Sequence, residues 1–385
     1  MNKSFQWAAC MAACAFLRSG DVSAAGAPPA ATWPFPDSGA GVRSFEREAS
    51  VGLFNEEIGI SLRRSDGVVE GIWSRTDGSL VDNAIAVMGR PTALWSVEVM
   101  PADAEEPLAV DATQAGTVRW EIVGDAERLV LRGLFDNVPC GSSTLHVAVH
   151  ASLAAGDPLL RWRMDARVQD GGASVWSAAF PRLAVLAADD DPEDNLVVFP
   201  YRRGILHSYG TGAPRSDSEY PYPGPAVKVQ FMAAYGRRSG RGFYLCAEDG
   251  QSHSKGFIRR NYPSRNLIVL GLRHLPENRG RPGTPLHMPY EVATAPFRGD
   301  WWDAARIYRR WWISQPWASR GLLIDRTDVP GWLKRAPIIA RISTTQPQRT
   351  IAKNLVTAEA LSKALDGRAF PAVWYGAFDP GERKH

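Results

Sequence analysis

The sequence has little cysteine and histidine, with 4 and 7 residues among 385. None of them shows the spacing of a zinc site. The sequence also lacks a Gly-rich phosphate loop and a Gly-x-Ser-x-Gly nucleophile elbow. Metalloenzymes, nucleotide-binding enzymes and serine hydrolases of these kinds are therefore not indicated, and we predict no cofactor and no metal site.

No apolar run reaches the ~18 residues that a transmembrane helix needs. The N-terminus has instead the parts of a secretory signal peptide: Lys3 as a basic start, an apolar stretch from Phe5 to Leu17, and the small residues Val22-Ser23-Ala24. We predict a signal peptide over residues 1–24, no transmembrane segment in the mature chain, and a secreted or periplasmic location.

The cysteines leave two alternatives open. Lipoprotein processing at Cys14 is an alternative to simple cleavage, because Met11-Ala12-Ala13-Cys14 faintly resembles a lipobox, although the apolar residues that follow argue against it. Signal cleavage would leave Cys140 and Cys246. In an oxidising compartment these two either form a disulfide or remain buried free thiols, and nothing in the sequence fixes their distance.

Charge of one sign is not in excess. The chain has 44 Lys and Arg against 41 Asp and Glu, and its arginines are scattered through strand patterns. A nucleic-acid partner is therefore not expected. The 14 Trp and 10 Tyr are more informative, since flat amphipathic rings suit either a large sandwich core or a carbohydrate-binding cleft.

Residues 40–298 are dominated by strand patterns. In LLRWRMDARV, apolar and charged residues alternate from Leu160 to Val168, which is typical of a strand with one buried face. Other strand pairs flank turn residues, as TVRWEIV and RLVLRGL flank Gly124-Asp125. With a dozen or more such strands and no convincing helix before residue 300, this region predicts a large antiparallel β-supersandwich.

Residues 299–329 predict a linker helix. Asp300 is placed to cap this helix, and Pro316 ends it. Its apolar stripe consists of Trp301, Ala305, Tyr308 and Trp312. We predict that the tryptophans of this helix, Trp301, Trp302, Trp311 and Trp312, belong to an interdomain core, the alternative being a carbohydrate-binding platform.

Residues 330–385 predict a β-α-β unit. PIIARIS and FPAVWYGAF are typical of buried strands, and Thr357 is placed to cap a helix from Ala358 to Leu365 that Asp366-Gly367 closes. A parallel strand pair with a right-handed crossover is expected. Such a unit can begin a (β/α)₈ barrel, and since only two strands follow, we expect a truncated, incomplete barrel.

Several segments together resemble a family of secreted glycoside-hydrolase-like proteins. They are VVFPYRRGIL, EYPYPGPA, VQFMAAYG, GFYLCAEDGQSHSKGF, YRRWWISQPW and GWLKRAPIIARIS. The family is similar in layout to α-galactosidases and endo-α-N-acetylgalactosaminidases. The resemblance implies a galactose mutarotase-like β-supersandwich, a linker helix and a catalytic (β/α)₈ barrel, and with them a carbohydrate substrate. It also implies cleavage of α-glycosides by two carboxylates on later barrel strands, beyond residue 385, so no catalytic residue is assigned.

Asp379 follows the second predicted strand, at the end where barrel enzymes bind substrate. We hypothesise that Asp379, with Trp374 and Tyr375, helps to form a sugar subsite. The simpler interpretation is a turn, since Asp-Pro-Gly is ordinary loop chemistry.

Asp249 and His253 lie in AEDGQSHSKGF, a loop whose polar groups suit hydrogen bonding to sugar hydroxyls. The alternative is an Asp-Gly hairpin turn with a solvated His and Lys. Tyr201 and Arg202 begin what is predicted as the longest connection without a strand pattern, which continues through Tyr209, Tyr220 and Tyr222. These residues either contact a sugar at the mouth of the barrel or, for the arginines, pair with surface carboxylates.

Two functional interpretations follow. The chain is the N-terminal portion of an exported α-glycosidase, or it is a non-catalytic sandwich that binds or scaffolds carbohydrate. An aldose epimerase is less well supported, because the acid/base histidine pair that it requires is not recognisable among the well-separated histidines.

Overall fold

The computed structural model describes residues 33–37, 39, 41–102, 104–169, 171–201, 205–224, 227–335, 338–343, 351–367 and 369–374. The predicted signal peptide over residues 1–24 therefore lies outside the described residues. The chain divides into two compact units, Met1–Arg309 and Arg310–His385. This division falls within the predicted linker region.

Antiparallel strands make up almost all of the first unit. In chain order they are β1 Arg43–Glu46, β2 Ser50–Phe54, β3 Ile58–Arg63, β4 Val69–Ser74, β5 Gly78–Ser79, β6 Ser96–Met100, β7 Leu108–Asp111, β8 Val118–Gly124, β9 Arg128–Cys140, β10 Ser143–Ala154, β11 Leu160–Val168, β12 Ser174–Leu186, β13 Asn195–Phe199, β14 Ile205–Ser208, β15 Ser216–Tyr222, β16 Phe231–Gly236, β17 Arg241–Glu248, β18 Lys255–Tyr262, β19 Leu267–His274, β20 Leu286–His287 and β21 Glu291–Arg298.

These strands form three sheets. A ten-stranded sheet has the order β14-β13-β16-β17-β21-β11-β10-β9-β8, with β20 paired to β11, and a six-stranded sheet has the order β15-β18-β19-β12-β6-β7. The third sheet is the five-stranded succession β1 to β5. Buried apolar residues from all three sheets belong to one continuous core. The mainly antiparallel sandwich predicted from the sequence is therefore confirmed.

The local patterns explain most of these pairings. β8 and β9 pair across Gly124-Asp125 as predicted, and β11 alternates between buried and more exposed residues along its length. The hairpin alternative for the Asp249-Gly250 loop is wrong, because β17 pairs with β16 and β21 whereas β18 pairs with β15 and β19. The segment from Asp249 to Ser254 therefore crosses between two sheets.

The region after Tyr201 was predicted to lack strands, and it contains two. β14 and β15 are the terminal strands of the ten-stranded and six-stranded sheets, respectively. Tyr209, between them, is fully buried and donates a hydrogen bond to the carbonyl oxygen of Leu186 at 3.1 Å. The pattern was missed because β15, SDSEYPY, is mostly polar and carries a proline, as edge strands often do.

Helix α1 spans Trp301–Trp312. Its predicted cap is confirmed, since the backbone N–H of Trp302 donates to the Asp300 carboxylate at 2.7 Å. The predicted stripe is correct for Tyr308, which is buried with its ring packed on Phe231 at 5.2 Å between centroids, and wrong for the other positions, since the second buried residue is Ala304. Trp301, Trp302 and Trp312 are exposed instead.

The second unit contains α2 Gly331–Arg335, β22 Ile338–Ser343, α3 Ile351–Ala364 and β23 Ala369–Trp374. β22 and β23 pair in parallel, as the predicted β-α-β unit requires. The predicted start of the helix is wrong, since α3 begins at Ile351 and Thr357 lies in its middle. Its predicted closure is correct, because Asp366 and Gly367 adopt positive φ and the Gly367 N–H bonds the Ser362 carbonyl oxygen at 2.8 Å.

Cys140 and Cys246 are both free and buried, so the free-thiol alternative is the correct one. Burial raises the pKa of both thiols, which keeps them protonated and unreactive. Among the described residues, no helix is long and apolar enough to cross a membrane.

Trp162 is the best single probe of the core. Its side chain is fully buried, packs edge-on against Phe180 at 5.9 Å, and donates a hydrogen bond to the Thr294 hydroxyl at 2.8 Å, which joins β11 to β21. Trp162→Ala should lower the free energy of unfolding by about 4 kcal/mol, measured by urea denaturation. Trp302→Ala, on an exposed ring, should change it by less than about 0.5 kcal/mol, and equal losses would contradict this assignment of the core.

Candidate functional site

Asp249 begins the segment that crosses from β17 to β18. Its side chain is buried, and its two oxygens accept four hydrogen bonds: from the backbone N–H groups of Gln251 (3.0 Å) and His253 (2.6 Å), from His253 Nδ1 (2.9 Å) and from Lys255 Nζ (2.5 Å). The carboxylate therefore organises this whole loop rather than facing solvent.

Lys255 is the counter-ion of Asp249. Its ammonium is completely buried, and besides the carboxylate it donates to Gln230 Oε1 at 3.1 Å and to the His253 carbonyl oxygen at 2.6 Å. All three of its protons are thereby used. Lys255 lies on the six-stranded sheet, whereas Gln230 and Asp249 flank strands of the ten-stranded sheet, so the ammonium bridges the two.

Aromatic rings enclose this ion pair. Lys255 Nζ lies 4.7 Å from the centre of the Tyr222 ring and 4.5 Å from that of Tyr290, where a ring face attracts a cation. Burial would raise the pKa of Asp249, but the hydrogen bonds from Lys255 and His253 and the charge of Lys255 outweigh it and lower the pKa. Burial lowers the pKa of Lys255 from its ordinary value, and Asp249 opposes this change.

His274 lies behind Tyr290 and is also buried. One ring nitrogen, Nε2, lies 2.6 Å from the Phe180 carbonyl oxygen, and the other, Nδ1, lies 2.7 Å from the Tyr290 hydroxyl. Because a carbonyl only accepts, Nε2 carries the proton in the neutral ring and Nδ1 accepts from Tyr290. Burial, and the charge of Lys255, lower the pKa of His274 to about 4, while the bond to Phe180 opposes this.

A cavity of about 350 Å³ opens beside this cluster. His253 reaches it with a partly exposed side chain, and Tyr290 and His274 form part of its wall. The other polar lining residues come from the loop and from the segment between β19 and β21: Ser254, Glu277, Asn278, Thr284 and His287. Such a mixture of apolar walls and a few polar groups is typical of small-molecule sites.

Asp249 also determines which ring nitrogen of neutral His253 carries the proton. A carboxylate can only accept, so the bond to Nδ1 keeps the proton on that nitrogen and leaves Nε2 as an acceptor in the neutral ring. Within the described residues Nε2 has no hydrogen-bond partner. His253 can therefore accept a hydrogen bond from a ligand hydroxyl or take its proton.

The predicted site residues separate into groups. Asp249 and His253 come together as a bonded pair, whereas Tyr201 lies elsewhere, stacked on Tyr220 with 4.2 Å between ring centres. Arg202, Tyr375 and Asp379 lie outside the described residues, and Trp374 ends β23. The hypotheses for these positions stay predictions. The hairpin alternative also predicted a solvated lysine, and this is wrong because Lys255 is buried.

Sequence reasoning did not predict that Lys255 is buried, and it did not assign Gln230, His274 or Tyr290 to this site. A signal was present for the first, because Lys255 begins the β18 pattern Lys-Gly-Phe-Ile-Arg, in which every second residue shares the inner face with Phe257. No local pattern marks the others, which converge from distant points of the chain. No group of His, Cys, Asp and Glu in the described part of the chain is arranged to hold a metal ion.

Comparisons with known proteins show that part of the chain is similar to a glycoside-hydrolase-like protein and that its fold is similar to that of a glycosidase. The model of a domain of unknown function, DUF6259, matches residues 286–376. A curated protein of Monosiga brevicollis, "Putative glycoside hydrolase 22789", is 31% identical over 147 residues, which make up 37% of this chain and 12% of that protein.

Solved structures show the same fold. The chain has a TM-score of 0.53, at 11% identity, to α-N-acetylgalactosaminidase NagBb from Bifidobacterium bifidum in complex with Gal-NHAc-DNJ, covering 86% of this chain and 51% of that one. The complex of the same enzyme with GalNAc gives 0.52 at 11% identity, over 88% and 51%. The chain thus spans about half the length of this enzyme and a smaller part of the curated relative.

The ion pair can be tested by breaking and then replacing it. Asp249→Ala should lower the free energy of unfolding by about 3–5 kcal/mol, because it leaves Lys255 buried without a counter-ion. Adding Lys255→Met to this variant should recover most of the loss, as measured by urea denaturation. Asp37→Ala, which breaks an exposed pair with Arg75, should have no measurable effect. A double variant no more stable than the single one would contradict the role of the pair.

His274 should make stability depend on pH. Its pKa is about 4 in the folded chain against about 6.5 when unfolded, so the unfolded state binds more protons between these values. Stability from this group is therefore complete above pH 6.5 and falls by about 3 kcal/mol as pH drops to 4. His274→Gln should flatten the curve of unfolding free energy against pH in this window, whereas His287→Gln, on an exposed ring, should not. Equal curves for the wild type and His274→Gln would refute this.

Proposed function

We propose that this protein is an exported, glycoside-hydrolase-related protein acting on α-linked glycans, and that the sandwich binds a sugar unit in the cavity beside His253. The observation that carries the proposal is the 31% identity to a curated protein described as a glycoside hydrolase. The sandwich shared with an α-N-acetylgalactosaminidase supports it at the level of the fold.

The geometry supports a sugar ligand. The cavity volume of about 350 Å³ is at the small end of the range of ~300–1,000 Å³ that is usual for small-molecule pockets. Its polar lining includes both hydrogen-bond acceptors and donors, among them His253, Glu277 and Asn278. The hydroxyls of a sugar ring require such a set, and apolar walls such as Met288 and Leu286 suit its C–H groups.

Asp249 and His253 have different roles in this proposal. Asp249 is 1% exposed and its oxygens are already bonded, so it positions His253 rather than binding the sugar. His253 Nε2 then accepts a sugar hydroxyl directly. Lys255 neutralises the Asp249 carboxylate and so has a structural role in the site.

Hydrolysis requires more than this cavity provides. Glycosidases generally use two carboxyl groups, one on each side of the scissile bond, and Glu277 is the one carboxylate among the described residues that line the cavity. We therefore assign the catalytic pair to later strands of a (β/α)₈ barrel outside these 385 residues. The parallel pair β22 and β23, and the coverage of half of a solved glycosidase, support this assignment.

The epimerase alternative loses support from the same geometry. His253 and His274 do line one cavity, but both nitrogens of His274 are bonded within the fold. With a pKa of about 4, His274 is neutral near pH 7. It cannot serve there as the protonated acid that sugar ring opening needs.

Sugar binding at His253 is directly testable. Titration of the ¹⁵N-labelled protein with methyl α-D-galactopyranoside and methyl α-N-acetyl-D-galactosaminide should shift amide signals of residues 249–255 and 284–290. His253→Ala should weaken binding about tenfold, the equivalent of ~1.4 kcal/mol for one lost hydrogen bond. His146→Ala, on the outer face of the ten-stranded sheet, should bind as the wild type does.

Two measurements decide whether the cavity binds sugar and whether the protein is a hydrolase. Unchanged affinity of His253→Ala would remove the cavity from the proposal. Release of 4-nitrophenol from 4-nitrophenyl α-glycosides by the full native gene product would support the hydrolase, whereas sugar binding without any turnover would favour the non-catalytic carbohydrate-binding protein.

A further inference from the structure

The sandwich has a second polar cluster where its two large sheets end side by side. β14 terminates the ten-stranded sheet and β15 the six-stranded sheet. The side chains grouped around Arg259 at this edge are those of Phe199, His207, Ser218 and Tyr220. Phe199 and Tyr220 are in contact across the gap, with 5.5 Å between ring centres.

Arg259 is the exceptional residue of this edge. It lies on the inner face of β18, two residues after the fully buried Phe257, and is only 7% exposed. Its Nε has no hydrogen-bond partner, and among the described residues the guanidinium makes one long contact, 3.4 Å from Nη2 to the Ser218 hydroxyl. No carboxylate in the described part of the chain forms an ion pair with it.

Two cations near Arg259, by contrast, have counter-ions. Lys255, four residues earlier on the same inner face, has a carboxylate at 2.5 Å. Arg273, on the adjacent strand, pairs with Glu98 at 3.0 Å and Glu219 at 2.6 Å. A buried cation without a counter-ion is strongly unfavourable, since desolvation is not offset by attraction. Among the described residues, Arg259 therefore lacks the anion that these two neighbouring cations have.

The surroundings of Arg259 are suited to a ring that carries an anion. The Phe199 ring lies 5.6 Å from the guanidinium, and Tyr220 stacks on Tyr201 at 4.2 Å. His207 lies beside Arg259, and burial together with that positive charge lowers its pKa. The imidazole is therefore neutral near pH 7, and its N–H can donate a hydrogen bond without adding charge.

We propose that this edge is a binding subsite for an acidic sugar unit of a glycan, in which Arg259 pairs with a carboxylate or sulfate group on the ring. The proposal extends the proposed function and concerns a different part of the sandwich from the His253 cavity. A guanidinium suits both oxyanions, because its N–H groups match their geometry. The tyrosines provide an apolar surface for the C–H face of the sugar, which a free inorganic anion would not use.

Calorimetric titration distinguishes the possible ligands. The probes are methyl β-D-glucuronide, galactose 6-sulfate, methyl β-D-galactoside and sodium sulfate, each at low ionic strength. We expect the two acidic sugars to bind at least tenfold more tightly than the neutral sugar and than inorganic sulfate. Equal affinity for sulfate would indicate a site for free anions, and equal affinity for the neutral sugar would show that the charge is not recognised. Either result overturns the proposal.

Arg259→Met tests the residue, and Arg260→Met is its matched control. Arg260 is the next residue of β18 and points to the opposite face. Arg259→Met should lose at least tenfold in affinity for the acidic sugars and keep or raise the thermal midpoint of the unliganded protein, because an unpaired buried charge is removed. Arg260→Met should bind acidic sugars normally. A marked fall in thermal midpoint with Arg259→Met, without any loss of binding, would show a purely structural role.

A further variant keeps this test independent of folding and of the first site. Arg259→Lys retains the positive charge but not the planar set of N–H donors of the guanidinium. It should therefore fold and bind acidic sugars several-fold more weakly. His253→Ala should leave acidic-sugar binding at Arg259 unchanged. If neutral sugars fail to bind in the His253 cavity, the inference about Arg259 is unaffected. Unchanged acidic-sugar binding in both Arg259→Lys and Arg259→Met would overturn the inference about Arg259 and leave the proposed function in place.

Discussion

A single buried ammonium connects the two large sheets of this sandwich. Lys255 starts a strand of the six-stranded sheet, and its partners Asp249 and Gln230 flank strands of the ten-stranded sheet. Because its three protons all have acceptors, the geometry of the crossing loop is fixed around it. The same carboxylate that neutralises Lys255 orients His253, so the wall of the cavity depends on the bond between the sheets.

The inner face of β18 carries two buried cations that differ in whether the protein supplies a counter-ion. Lys255 and Arg259 share that face, and within the described residues Lys255 has a counter-ion whereas Arg259 has none. A paired charge fixes the position of its neighbours, whereas an unpaired charge lowers stability unless another group supplies the anion. This contrast within one strand is more informative than either residue alone, since both are exposed to a similar degree.

The sequence predicts the elements of this fold better than their partners. Alternation along β11 and the turns at Gly124-Asp125 are local, and they were predicted correctly. The Asp249 loop was mistaken for a hairpin because Asp-Gly has the same turn preference whether the next strand returns to the same sheet or crosses to another.

The candidate site was predictable only in part for a related reason. Asp249 and His253 lie four residues apart, so their association could be expected. Tyr290 and His274 join them through contacts between distant strands, for which no local periodicity exists. In α1, helical spacing correctly located Tyr308 on the buried face, but the preference for burying large rings also placed Trp301 and Trp312 there, and both are exposed.

The order of strands has a consequence for the time at which this sandwich can fold. β21, the last strand of the domain, lies in the interior of the ten-stranded sheet and joins β17 on one side to β11 on the other. The bond between Trp162 and Thr294 spans 132 residues. Until that strand has been synthesised, the sheet consists of two halves with unpaired edges. Folding on the ribosome therefore has to wait for nearly the entire domain, and the emerging halves are the species most in need of protection from association.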